Sequence, residues 1–225
     1  MDWSAGPDRF TLTGSEGLLC FTTTRKRALP PGEPDAAGLR KAAGAGPGAV
    51  VGMRQVHGGR IVKLGQEAAS SIVPDCDGLV TGRRGVALMV RTADCLPIVA
   101  WDPRRGLLGV AHAGWRGVKA GIPERLAREM GASGLRVAIG PGIGPCCYEV
   151  GPEFSAWFPG HVRAEKGKAR LDLAGAAVAQ MEEAGVERGG ISLAPWCTAC
   201  ERDLCCSYRR EGSAAGRMVT CAVLV

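Results

Sequence analysis

No apolar run in this 225-residue chain approaches the roughly 20 residues that a membrane-spanning helix needs, so no such helix is expected. The opening residues, Met-Asp-Trp-Ser-Ala-Gly-Pro-Asp-Arg-Phe, carry neither a basic stretch nor an apolar core, and a secretory signal is not expected either. There is no internal repeat, long linker or low-complexity tail. The net charge of +6 is modest, and the basic residues are scattered without an interleaved aromatic stripe. A nucleic-acid binder concentrates them on one face, so nucleic acid is not an expected partner. The excess would still favour the approach of an anionic substrate.

Cysteine, by contrast, is plentiful at ten residues. Without a secretory signal these read as cytosolic thiols or metal ligands, not as a disulfide framework, and a cytoplasmic location is expected. The most informative stretch is 91–117. Two apolar runs, 96–101 and 107–111, flank Asp102-Pro103-Arg104-Arg105, where Pro103 suits the second position of a type I turn. A hairpin turning between Pro103 and Arg104 sets Cys95 directly opposite His112, close enough to share a metal. The register decides this, because a slip of one residue sends the two side chains to opposite faces. The alternative at this point is a buried thiol beside a hydrogen-bonded core histidine.

Strands are expected at 9–13, 18–23, 49–53, 60–64, 77–81, 86–90, 135–139, 191–194 and 217–225, with a loop over 28–48 that holds a short helix near 35–43. Val118, Ile122, Leu126 and Met130 recur at helical spacing, predicting a helix over 117–130, with Pro123 tolerated only near its first turn. A short helix is expected around 152–158. Asp172 is a fair N-cap for another over 173–184, ending at Gly185. Strands mixed irregularly with helices argue for one α+β domain over residues 1–225, with large mixed or antiparallel sheets covered by helices.

Seven stretches occurring in order resemble the YfiH/laccase-domain family, also called the polyphenol oxidase type. They are Gln55-Val56-His57-Gly58, Asp75-Cys-Asp-Gly-Leu-Val-Thr81, Thr92-Ala-Asp-Cys-Leu-Pro97, His112-Ala-Gly-Trp-Arg-Gly117, the segment 139–151, Ser207-Tyr-Arg-Arg210 and Gly216-Arg-Met218. The resemblance covers roughly residues 50–225. It implies an α/β/β/α sandwich-like domain and a metal, usually zinc, held by His57, Cys95 and His112. It also implies phosphorolysis of purine nucleosides (adenosine, inosine, guanosine, methylthioadenosine), with deamination of adenosine as a second activity and phosphate as co-substrate. Two departures stand out: Thr24-Arg25 is followed by Lys26-Arg27 where the family has glycines, and Cys205-Cys206 replace a Phe pair.

Two histidines and a cysteine leave one tetrahedral position open, the pattern of catalytic zinc, whereas structural zinc is closed by four ligands. Arg116, just after His112 and opening the expected helix, is the candidate phosphate-binding residue, and Arg25 is a weaker one on the family motif alone. Asp94, beside Cys95, reads equally as a general base or as a group that orients a histidine. Cys197-x-x-Cys200 with Cys205-Cys206 lacks a second well-spaced pair, so these four are expected to be thiols, and one zinc per chain is expected. Cys146-Cys147 is expected to be structural, near the Gly-rich loop. The His-x-Glu partner of a nucleobase deaminase is absent, and His161 is read as a surface residue. Three histidines are too few for a multicopper centre. The alternatives kept are a single-site Cu2+ polyphenol oxidase, an enzyme that edits peptidoglycan precursors, and a metal-stabilised binding module without turnover. Oligomeric state is not readable.

Overall fold

Central strands that are apolar on both faces require cover on both sides, and the fold provides it in four layers. The computed structural model describes residues 1–44, 48–65, 71–165 and 167–225; residues 45–47 of the expected 28–48 loop lie outside that set. Along the chain run β1 (Asp2–Ala5), β2 (Arg9–Thr13), β3 (Leu18–Thr23), α1 (Ala36–Ala43), β4 (Ala49–Met53), β5 (Ile61–Lys63), β6 (Ser71–Val73), β7 (Gly78–Thr81), β8 (Val86–Thr92), β9 (Leu96–Asp102) and β10 (Leu107–Ala113). Then come α2 (Trp115–Lys119), α3 (Ile122–Met130), β11 (Arg136–Ile139), β12 (Glu149–Val150), α4 (Phe154–Trp157), β13 (Val162–Glu165), β14 (Lys168–Leu171), α5 (Leu173–Glu183), β15 (Ile191–Leu193), α6 (Tyr208–Glu211) and β16 (Met218–Leu224).

The first sheet has the order β1-β2-β3-β16-β8-β4-β6 and the second β15-β11-β9-β10-β7-β5; β12-β14-β13 form a small third sheet. Strand alternation sorts the side chains into layers. Leu88 and Val90 of β8 and Val99 and Trp101 of β9 meet between the two large sheets. Ala87 and Met89 face the other way, toward Leu39 of α1. Ile98 and Ala100 pack under Ile122, Leu126 and Met130 of α3 and Ala177 and Met181 of α5. Each fully buried aliphatic side chain in these layers contributes on the order of 1.5–3 kcal/mol. The α+β class and its sandwich of helix-covered sheets are thus as the sequence leads one to expect.

Local chemistry sets the starts of two helices. Asp35 caps α1 by accepting from Gly38 N at 2.6 Å, and Asp172 caps α5 by accepting from Gly175 N at 2.8 Å. The expected helix over 117–130 is two helices. The first begins earlier, at Trp115, and the chain breaks at Gly121, whose φ of 76° is left-handed, before Pro123 enters the first turn of α3. Strands β1, β6, β12, β13 and β14 and helix α6 have no counterpart among the expected elements. Among the described residues no helix is long and apolar enough to cross a membrane.

Candidate metal centre and cavity

His57, Cys95 and His112 come from three separate segments, and their ligand atoms all lie within 4.8 Å of one another. His112 stands near the end of β10, Cys95 immediately precedes β9, and His57 lies in the loop between β4 and β5. The hairpin register differs from the expected one. Pairs run Leu107↔Asp102 through His112↔Pro97, so the sum is shifted by two and Cys95 is not directly opposite His112. The reason is a longer turn: Asp102 accepts from Arg104 N at 2.8 Å and Arg105 N at 3.0 Å, and Gly106 closes the loop at φ 63°. An even slip keeps both side chains on the same face, so the two still converge. Gly114 makes the approach possible, since a Cβ there would lie 2.7 Å from Cys95 Sγ and 3.3 Å from His57 Cδ2.

Asp77, fully buried immediately before β7, is the hub of the site. Its carboxylate accepts the backbone N–H groups of Val56 (3.1 Å), His57 (3.0 Å) and Gly58 (2.7 Å), and Nδ1–H of His112 at 2.8 Å. The three amides hold His57 at φ 60°, a strained region for a residue with a Cβ. With Nδ1 committed to Asp77, Nε2 of His112 is free for Cys95 or a metal. Burial opposes charge on Asp77, yet His112 and the amides hold its carboxyl below the usual range. Burial also opposes charge on Cys95, but neighbouring His112 and hydrogen bonds from both histidines bring the thiol down to about 6. Burial would lower His112, and Cys95 and Asp77 instead raise it to about 9. The two shifts run in the directions that favour charge on both partners, and a metal there would compete with the proton for the same imidazole nitrogen.

His57, Cys95 and His112 line a cavity of about 730 Å³ with Trp115, Tyr148, Tyr208 and five arginines, Arg54, Arg91, Arg116, Arg209 and Arg217. Four of the five are tied to their surroundings: Arg54 to Asp75 (2.9 Å), Arg91 to Gly32 O (3.0 Å), Arg209 to Glu149 O (2.8 Å) and Arg217 to Ala215 O (2.5 Å). Arg116 is exposed and lies 4.4 Å from the centre of the Trp115 ring, and among the described residues no carboxylate pairs with it. The helix that carries it is only five residues long, so any anion affinity there belongs to the guanidinium and not to a helix end.

Two sequence candidates fall elsewhere. Arg25 does not line the cavity; its guanidinium donates to Arg202 O at 2.7 Å and faces Glu211 at 3.5 Å. Asp94, at φ 85°, borders the cavity with both oxygens engaged, one by Thr198 Oγ1 (2.6 Å) and one by Arg209 N (2.6 Å). The carboxylate that orients a histidine is Asp77, which sequence reasoning missed although its motif was in hand. Arg91, Arg209 and Arg217 were missed as cavity residues too. Cys205 and Cys206 are buried beside Phe10 and Met218. The cysteines that do gather are Cys146, Cys147, Cys197 and Cys200, a grouping the spacing of Cys197-x-x-Cys200 and Cys205-Cys206 does not suggest.

A helix-covered double sheet with a His/Cys/His cluster in an arginine-lined cavity defines a class of candidate metalloproteins. The family model described as multi-copper polyphenol oxidoreductase laccase matches residues 35–225, and the chain belongs to that family. It is 38% identical over 187 residues to purine nucleoside phosphorylase YlmD of Geobacillus stearothermophilus, covering 73% of this chain and 68% of the relative. It is 33% identical over 188 residues to adenosine deaminase RL5 of an unknown prokaryotic organism, covering 74% and 72%. Its fold matches the crystal structure of a hypothetical protein YfiH of Bacillus licheniformis with a TM-score of 0.88 at 26% identity, covering 99% of each chain.

Proposed function

We propose that this chain is a single-domain, zinc-dependent purine nucleoside phosphorylase that also deaminates adenosine. One observation carries the reading: His57, Cys95 and His112 line the same cavity as five arginines, and that cavity, at about 730 Å³, has the size of a small-molecule site. Two nitrogens and a thiolate suit zinc, and three protein ligands leave a position for water or substrate. When bound, the metal would supply Lewis-acid polarisation and lower the pKa of a bound water to about 7.

The chain's own groups divide the remaining work. Asp77 fixes the His112 tautomer, and the Asp77 amide cradle fixes His57. The arginines neutralise phosphate, with Arg116 as the direct contact. Trp115, Tyr148 and Tyr208 offer flat apolar surface to a purine. In phosphorolysis a phosphate oxygen bonds to C1′ of the ribose as the C1′–N9 bond breaks, and the purine takes the electron pair and a proton. In deamination water attacks C6 and ammonia leaves. The substrates proposed are adenosine, inosine, guanosine and methylthioadenosine; the names of the relatives support the two reaction classes.

The test is an assay of purine nucleosides with and without phosphate, on protein of measured metal content, for wild type and Cys95→Ser. Phosphate-dependent release of purine base that disappears with the metal is the expected result. The family's description keeps one second reading in play, a copper polyphenol oxidase. Steady phenol oxidation by copper-loaded protein with no base release from any nucleoside would decide for it.

A further inference from the structure

The four gathered cysteines lie outside the His/Cys/His centre and come from two loops. One follows the Gly-rich turn after β11 and carries Cys146 and Cys147; the other follows β15 and carries Cys197 and Cys200. Backbone pairing between Gly142 and Cys197, with Thr198 N donating to Gly142 O at 3.0 Å, brings the loops together. All four Sγ atoms lie within 4.8 Å of one another. Sγ of Cys147 is 3.4 Å from that of Cys200, and Sγ of Cys146 is 3.6 Å from it. Thiolates around a tetrahedral zinc, at about 2.3 Å each, stand about 3.8 Å apart, whereas a disulfide holds its sulfurs at about 2.05 Å. The two short separations are too long for a disulfide, and the group as a whole is compact enough for one metal ion.

A backbone donor also meets the cluster: Gly144 N donates to Cys197 Sγ at 3.2 Å. Arginines brace both loops: the Arg170 guanidinium donates to the Cys146 carbonyl, and Arg210, itself paired with Glu211 at 2.5 Å, donates to the carbonyls of Thr198 and Ala199 at 3.0 Å each. Cys146 and Cys200 are exposed, which gives an ion a way in.

We propose that Cys146, Cys147, Cys197 and Cys200 hold a second zinc ion in a closed, structural four-thiolate site. Four protein ligands leave no position for substrate, so its role is to staple the two loops. The first loop lines the cavity through Ile143 and Tyr148, the latter directly after Cys147, and the second supports it from behind, since Thr198, between Cys197 and Cys200, donates to Asp94 beside Cys95. The stoichiometry then becomes two zincs per chain in place of the one that sequence spacing leads one to expect.

The test counts metal in protein purified without oxygen and stands independently of any nucleoside assay. Wild type should carry two zincs, and Cys95→Ser should keep one. Cobalt loaded into Cys95→Ser should give the intense visible bands of a tetrahedral all-thiolate centre. Cys197→Ser with Cys200→Ser should lose those bands and the remaining metal. The Cys95→Ser measurement leaves the four cysteines untouched, so it decides even where the double substitution fails to fold. Folded Cys95→Ser protein that binds neither zinc nor cobalt tightly would overturn the site. So would a wild-type mass lighter by the two hydrogens of a disulfide, mapped to Cys147 and Cys200 or to Cys146 and Cys200.

Discussion

Asp77 accepts Nδ1–H of His112 at 2.8 Å while its carboxylate also gathers the amides around His57, so one buried acid positions two of the three candidate ligands. Asp77→Asn keeps the shape but turns one acceptor into a donor and removes the charge that favours this histidine tautomer. Such outer partners of metal ligands typically account for 10- to 100-fold in metal affinity. Competition with a chromophoric chelator should therefore show zinc bound about 10- to 100-fold more weakly by Asp77→Asn. Unchanged affinity would mean that His112 keeps its orientation without the carboxylate.

That relationship was hard to read from sequence because it is tertiary. His112 N donates to Asp77 O at 2.7 Å across the β10–β7 pairing, and nothing local to either residue announces it. The hairpin was legible because β8, β9, β10 and β16 are apolar on both faces, and its error was an even slip, which period-2 geometry forgives. The break at Gly121 was not, since Val118, Ile122 and Leu126 keep helical spacing on both sides of it. The small sheet β12–β14 consists of short, largely polar strands with no period to detect. Cys146 and Cys147 meet Cys197 and Cys200 only through a bridge between distant loops, so a search for a local Cys-x-x-Cys partner settles on Cys205 and Cys206 instead.

Gly114 tests how tightly the centre is packed. Its φ of −78° is open to any residue, so the only obstacle to alanine is the new Cβ, 2.7 Å from Cys95 Sγ. Overpacking of this kind costs about 1–3 kcal/mol. Gly114→Ala should unfold at lower denaturant and bind zinc more weakly, because Cys95 must move. Wild-type values for both would mean that the sulfur has room to give.

Asp102 governs the pH dependence of the hairpin that carries Cys95 and His112. Burial opposes its charge, but the Arg105 side chain at 2.5 Å and the amides of Arg104 and Arg105 hold its carboxyl below the usual carboxylate range. A depressed folded pKa means that the stabilisation is fully present above the unfolded value of about 3.9 and is lost as pH falls through the folded one. Hydrogen bonds to a charged group contribute about 1.5–3 kcal/mol. Asp102→Asn should be less stable than wild type at neutral pH, with the gap closing as acid protonates Asp102 in the wild type. A gap that stays constant down to the acid limit, in thermal melts across pH, would remove the carboxylate's charge as the cause.

Arg116 is where the proposed reaction can be separated into its two halves. Among the cavity's arginines it is the one that rests on a ring face and, among the described residues, on no carbonyl or carboxylate, so its guanidinium can turn to an incoming anion at little structural cost. Removing one charge-assisted contact to phosphate costs on the order of 1.5–3 kcal/mol, roughly ten- to a hundred-fold in rate. Arg116→Ala should lose that factor in phosphate-dependent release of purine base from adenosine. Deamination of the same nucleoside uses water, needs no phosphate, and should fall less. Both rates are read on one protein sample with phosphate present and absent, so differences in metal content cancel. Equal losses in the two reactions would make Arg116 a nucleoside-positioning residue, and undiminished formation of ribose-1-phosphate would assign the phosphate contact to another arginine lining the cavity, Arg91, Arg209 or Arg217.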